Sequence, residues 1–408
     1  MTDLRPTFPH GTILGYPRIG RRRELKHAVE AHWSGELDEA ALERIAADLR
    51  RATRERLAAL GLGRDDSAIP ESFSYYDQVL DAAATVGALP ERFASLRDAD
   101  GTVGLAAYFT AARGAGEDAP LEMTKWFDTN YHYLVPEIGP ETTFALSSDR
   151  LVRQVAEAAA DGFTVRPVIV GPVTLLALAK ATAGASDGFA PLERLDDLLP
   201  VYAELLANLR AAGAEWVQLD EPALVSESLP AAPQELADAA ARAYERLGAV
   251  DDRPAILVAA GYAQLSSGAW AALAAAPVEA LAIDLARGSV PPAVPGLEGK
   301  TLVGGVIDGR NIWRGDLEAA WGRLDSLRSL GAARVSAGTS TSLQHVPHDV
   351  RDEPALDSRL VSWLAFADQK TEQVVTLANG LIAGREAIVD ALAAASVALA
   401  DRRSAPGV

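Results

Sequence analysis

Apolar residues in this chain gather in short runs bounded by turn residues, and between those runs they recur three or four positions apart. The runs at 12–20, 69–77, 124–138, 165–174, 215–224, 255–263, 280–288, 301–309 and 333–342 read as strands. Segments 38–60, 149–161, 190–213, 234–247 and 315–330, rich in Ala, Leu, Glu and Arg, read as helices. Such alternation predicts a parallel sheet with covering helices, an α/β architecture. Nine candidate strands are one too many for a closed eight-stranded barrel, so one is accessory or the count is wrong. A single (β/α)8 TIM-type barrel is still favoured over a doubly wound sheet. Functional-looking residues end many different strands, which suits a barrel mouth, and no G-x-G-x-x-G follows the first strand. No Gly-, Ser- or Pro-rich linker divides the middle. Residues 1–380 therefore read as one barrel with extra helices, of which 38 to about 113 is an elaboration. Residues 381–408 read as one helix dissolving into a polar, linker-like end.

Composition narrows the function. The formal net charge is -18, from 56 acidic against 38 basic residues, which argues against a nucleic-acid or anionic-membrane binder needing a broad basic face. Cysteine is absent, which removes disulfides, thiolate nucleophiles and thiolate-bound zinc. With no apolar leader and no spanning run, the cytoplasm is the expected location. Lysine is scarce, at Lys26, Lys125, Lys180, Lys300 and Lys370 alone.

Against that acidic background the stretch "YPRIGRRRELKHAVEAHW" (16–33) stands out. If a helix begins near residue 21, Arg21, Arg22 and Arg23 occupy its first turn, where the dipole disfavours cations by roughly 0.3–1 kcal/mol each. Together with Arg18 and Lys26 they would form a local anion site; a solvated basic turn matched by nearby carboxylates is the alternative. A second polar run, "EMTKWFDTNYHYLVPEI" (122–138), carries Lys125, Asp128, Asn130, His132 and Glu137, with polar residues on both faces of the presumed strand. In "WVQLDEPAL" the alternation turns Val217 and Leu219 toward helices and Gln218 and Asp220 into the barrel, with Glu221 just beyond; "AIDLARG" places Asp284 likewise. These carboxylates suit an acid/base pair or, alternatively, the orientation of loops through backbone hydrogen bonds. Arg310 and Asn311 in "DGRNIWRGDL" are a weak signal. His345, His348 and Asp349 in "SLQHVPHDV" lack zinc-helix spacing. No serine-hydrolase elbow or P-loop is present.

Taken together, "GYPRIGRRRELKHAVEAHW", "EMTKWFDTNYHYLVPE", "VIVGPVTLLAL", "WVQLDEPALV", "VIDGRNIWRGDL" and "STSLQHVPHD" resemble the N-terminal half of cobalamin-independent methionine synthase, in order along nearly the whole chain. The R-E-L-K and M-T-K-W pair decides for that half. The resemblance implies a part in methyl transfer from 5-methyltetrahydropteroyltriglutamate to homocysteine. The folate contacts map onto Arg23, Glu24, Leu25, Lys26 and Lys125, and Arg18, Asn130, His132, Asp220, Glu221 and Asp284 are secondary candidates. It also implies that zinc and the homocysteine site belong to a C-terminal barrel, so no metal, cofactor or independent catalysis is expected of this chain. The expected partners are the folate polyglutamate and that barrel, covalent or in trans, with "DRRSAPGV" resembling the start of an interdomain segment. The competing readings are an assembly module for a separate barrel and a carboxylate-dependent hydrolase using Asp220 or Glu221 with Asp284.

Overall fold

The computed structural model describes residues 6–405. Eight parallel strands run in barrel order: β1 (Gly11–Thr12), β2 (Pro70–Glu71), β3 (Arg166–Val170), β4 (Trp216–Asp220), β5 (Ala255–Ala260), β6 (Ala280–Asp284), β7 (Thr301–Ile307) and β8 (Arg334–Thr339). Backbone ladders join each strand to the next from β2 to β8, and β8 to β1. The seam between β1 and β2 is closed by side chains instead. Thr12 Oγ1 donates to the Ala68 carbonyl at 2.7 Å, and Arg166 reaches both flanks, donating to Ser67 O at 2.7 Å and to Ile13 O at 2.8 Å.

Alternation decides what fills the barrel. Trp216, Ala255, Leu257, Ala259, Ala280, Ala282 and Val303 point inward with Phe8 and Leu14, while Val217, Leu219, Ile256, Val258, Leu281 and Ile283 pack outward in the main core with the helices. Many of the inward residues are alanine, and the space they leave is taken by larger groups. Phe8 stands edge-on to Trp216 at 4.7 Å, and the fully buried Arg166 lies against Phe8 and donates to Gln218 Oε1 at 3.1 Å. Burial pushes the Arg166 guanidinium down, to about 9, which leaves it charged at neutral pH.

The expected long first strands are two-residue strands, because the chain leaves the sheet at once to form mouth loops. The surplus candidate is 124–138. It is a separate antiparallel hairpin outside the barrel, with Met123–Lys125 paired to His132–Leu134. Its polar residues on both faces fit that position, since neither face is buried in the sheet. Helices Glu24–Trp33 and Glu39–Ala59 fill the β1–β2 connection, and Gln78–Thr85 and Leu105–Arg113 stand between β2 and the hairpin. Leu25, Val29, Leu42, Leu80, Tyr108 and Leu134 share a second hydrophobic core, which joins the first helix and the hairpin into one mouth-side extension. The single helix expected from 381 is two: Gly384, at φ 93°, ends Ala367–Ala383, and Val389–Ser404 follows after one short turn. Leu392 and Ala395 of that last helix join the main core.

Candidate functional site at the barrel mouth

The loops after the carboxyl ends of the strands surround a cleft of about 970 Å3 that opens to solvent. Arg18 reaches it from the loop after β1, Ser72 and Asp81 from beyond β2, Asp220 from the end of β4, Tyr262 from the loop after β5 and Ser342 from the loop after β8. That is the end at which barrels of this architecture place their sites.

The three candidate carboxylates are held differently. Glu221 is fully buried and spent: it accepts from Val173 N, Thr174 N and Tyr244 Oη at 3.1, 2.7 and 2.8 Å, capping the start of the short helix Pro172–Ala177. A Cβ on Gly171 would stand 2.3 Å from its Oε1, so glycine is what lets the carboxylate approach. Asp284 accepts from Tyr262 N, Ala286 N and Arg287 N at 3.1, 2.8 and 2.9 Å, and burial raises its pKa to about 6 against those hydrogen bonds. Asp220 alone faces the cleft. Its Oδ1 accepts from Gln218 Nε2 at 2.7 Å, and burial raises it to about 7, opposed by Gln218 and Arg166. Two of the three carboxylates thus orient backbone, so neither Glu221 nor Asp284 is free to act with Asp220 as the acid/base pair of a hydrolase.

The hairpin crosses the mouth and is tied down on the far side. Trp126 Nε1 donates to Tyr262 Oη at 2.8 Å, and that hydroxyl lies 2.9 Å from His345 Nε2. Burial lowers His345 to about 4, so the ring is neutral and shares a hydrogen bond with the tyrosine hydroxyl. Phe127 stacks on Tyr262 at 5.8 Å, and both residues have left-handed backbones, at φ 47° and 86°. Non-glycine residues held there mark strain of roughly 1–3 kcal/mol of the kind concentrated at functional sites. Asp128 pairs with Arg287 and Arg310 at 3.3 and 3.2 Å, and Asn311 instead donates to Asp308. Asn130 and His132 are exposed, the His132 ring contacting the Asn130 carbonyl, and neither lines the cleft.

The cationic stretch splits by role. The helix begins at Glu24, not near 21, so the arginines form the turn before it. Arg21 pairs with Asp349 and Asp352 at 3.0 and 2.7 Å and ties the first loop to the last. Asp349 is buried, yet the Arg351 N–H, the Gln369 amide and the Arg351 guanidinium outweigh burial and hold it well below the usual carboxylate range. His348 stands edge-on to Tyr16, and burial lowers its pKa. Glu24 folds back to accept from Arg22 N at 2.9 Å, and Leu25 N donates to Ile19 O, so these amide groups are not open to a ligand. Leu25 is core. What remains is Arg22, Arg23 and Lys125, exposed and without a side-chain partner among the described residues, and Lys26, half exposed and paired only with Glu30 one turn on. Arg23 adopts φ 64° and ψ 35°, a conformation that costs an ordinary L-residue roughly 1–2 kcal/mol.

Several cleft residues escape a sequence reading. Arg150, Asp81, Gln78 and the serines come from helices and turns that carry no motif, and only the fold brings them to Asp220. The Tyr262–His345 contact spans 83 positions. Ser72 and Ser74, just after the short second strand, are the one signal of the cleft that the sequence carries.

Eight parallel strands with polar and aromatic side chains converging beyond their carboxyl ends define a (β/α)8 barrel with a mouth-side site. The family model described as the cobalamin-independent synthase, N-terminal domain, matches residues 10–332, and the chain belongs to that family. It is 51% identical over 405 residues to the 5-methyltetrahydropteroyltriglutamate–homocysteine methyltransferase of Mycolicibacterium paratuberculosis, covering 99% of this chain and 51% of that protein. Over 397 residues it is 52% identical to the enzyme of that name from Streptomyces avermitilis, covering 96% of this chain and 50% of that one. The chain thus spans about half the length of the curated relatives it matches. Among solved structures, a B12-independent methionine synthase from Shewanella shares the fold at a TM-score of 0.57 and 16% identity, covering 96% of this chain and 99% of that one. No helix among the described residues is long and apolar enough to cross a membrane.

Proposed function

We propose that this chain is the folate-side barrel of a cobalamin-independent methionine synthase, in which Arg23, Lys26 and Lys125 receive the glutamate tail of 5-methyltetrahydropteroyltriglutamate. The observation that carries this is a set of exposed cations, of which Arg23 and Lys125 have no acidic partner among the described residues and Lys26 has only Glu30 one turn on, in a chain of net charge -18 where most other mouth arginines are paired. An oligoglutamate is a row of carboxylates, and fixed cations on a helix start and a hairpin strand that share one core match it. Glu24 and Leu25 serve the same site by locking the turn and anchoring the helix.

The thiolate-bearing zinc set of the family does not fit here. There is no cysteine, and among the described residues no group of three or more His, Cys, Asp or Glu side chains could hold a metal. Homocysteine activation therefore falls to a second barrel, for which the doubled length of the relatives and the exposed Ile19, Met123 and Ile312 speak. Light scattering with a C-terminal-type barrel tests that pairing: a complex is expected, and its absence would remove it.

The tail reading is tested by titrating methyltetrahydrofolate carrying one or three glutamates against wild type, Lys26→Ala and Lys125→Ala. The triglutamate should bind more tightly, and each substitution should weaken it several-fold, about 1 kcal/mol. An affinity indifferent to glutamate number and to both substitutions would sink the reading.

A further inference from the structure

We propose that Asp352, backed by the buried Asp349, is a positioning residue for the cationic turn. Through Arg21 it fixes where Arg22, Arg23 and the first helix stand, and thereby how strongly the turn prefers a long oligoglutamate to a short one. The inference rests on the tail-binding reading, and its test separates the two.

Of the three consecutive arginines, Arg21 alone has carboxylate partners among the described residues. Its Nε and Nη2 donate to the two oxygens of Asp352 at 2.8 and 2.7 Å, and Nη2 also meets Asp349 Oδ2 at 3.0 Å. Single exposed ion pairs contribute little, but a two-point fork fixes direction as well as distance.

The fork has a rigid base. Asp349 is buried and accepts from Arg351 N, Arg351 Nε and Gln369 Nε2 at 3.0, 3.0 and 2.7 Å. Arg56 of the helix Glu39–Ala59 pairs with Asp368 at 2.6 Å and approaches Asp349 to 3.6 Å. Asp352 N donates to the Asp349 carbonyl at 3.0 Å, so the two carboxylates belong to one short turn. The last loop is thus anchored by contacts other than those of Arg21.

The cationic turn needs such a hold. Arg23 keeps a left-handed backbone, at φ 64°, which persists only where the surroundings over-determine it. Within the turn, Arg23 N reaches Gly20 O and Leu25 N reaches Ile19 O, both at 3.1 Å. From outside, the ties are Arg18 to Gln344 and the Arg21 fork, and the fork is the closer to Arg23 in the chain. Charge gives the role a sign. Neutralising Asp352 beside a cationic turn would, by Coulomb attraction alone, strengthen the binding of any anion. A positioning role predicts the opposite.

The test is calorimetric titration of the full chain with methyltetrahydrofolate carrying one or three glutamates, on wild type, Asp352→Asn, Arg21→Gln and the double variant, with circular dichroism confirming that each folds. In Asp352→Asn the preference for the triglutamate should fall about threefold despite the lost negative charge. The double variant should match Arg21→Gln, since the carboxylate acts through that guanidinium. Without ligand, hydrogen exchange at Arg23 N and Leu25 N should be faster in Asp352→Asn than in wild type. An unchanged or increased preference in Asp352→Asn, an additive double variant, or unchanged exchange would each overturn the positioning role while leaving tail binding in place. No triglutamate preference in wild type would remove tail binding and this role together.

Discussion

The barrel interior and the ridge at its mouth both hold arginine, and they treat it in opposite ways. Inside, Arg166 has no exposed surface and each of its three nitrogens meets an oxygen. On the ridge, Arg22, Arg23 and Lys125 are exposed with no side-chain partner among the described residues, and one of them holds a left-handed backbone. A saturated cation is explained by the fold that surrounds it. An unsaturated set in an acidic protein, carried by elements that share one small core, is what the tail-binding proposal accounts for.

The contrast is broken most severely from the inside. Arg166→Ala should lower unfolding stability by about 3–5 kcal/mol, read as a shift of the urea midpoint, because it leaves buried acceptors unpaired and opens the β1–β2 seam. A shift below about 1 kcal/mol would mean that the seam does not need it. Next comes pH. Asp220 has a folded pKa of about 7 against an ordinary value of 3.8, so the stability tied to its protonated form is full below pH 4 and lost as pH rises through 7. Wild type should therefore lose more melting temperature between pH 5 and 8 than Asp220→Asn; equal slopes would show that Asp220 titrates normally. Asp128→Ala, at the exposed clamp of the hairpin, should cost less than about 1 kcal/mol while speeding proteolytic nicking between 126 and 131. Unchanged nicking would show that Trp126 and Tyr131 suffice to hold the hairpin. Least of all, Lys125→Ala should move the urea midpoint by no more than about 0.5 kcal/mol, since nothing in the fold depends on it; a larger loss would place that lysine with Arg166.

How far the sequence foretells this depends on the range of the interaction. Inward and outward alternation along β4 to β6 is local, and Gln218, Asp220, Val217 and Leu219 lie on the faces it predicts. The barrel is read on other grounds, the functional-looking residues that end many strands and the missing G-x-G-x-x-G, and with nine candidate strands for its eight. The hairpin reads as a strand in the sequence because its halves carry strand-like residues. The turn depends on Phe127 adopting a left-handed backbone, which no propensity favours. The block Arg23, Glu24, Leu25 and Lys26 is contiguous in sequence, yet its members diverge into exposed cation, turn lock, core anchor and exposed cation. Burial separates them, and burial depends on Leu134 and Tyr108 far along the chain. Arg150 and Asp81 carry no sequence signal for the same reason: their meaning lies in neighbours that only the closed barrel supplies.

The seam between the first two strands has a consequence for how the molecule opens. A ring of backbone ladders shares strain around its circumference, but here one joint is made of a threonine hydroxyl and a guanidinium. Amide hydrogens flanking that joint, from Gly11 to Leu14 and from Ser67 to Glu71, should exchange with solvent ahead of those in β5 to β7. Thermal opening then begins beside the loop that carries Arg18 to Arg23, so the part of the barrel that comes apart most readily is also the part that presents its cations.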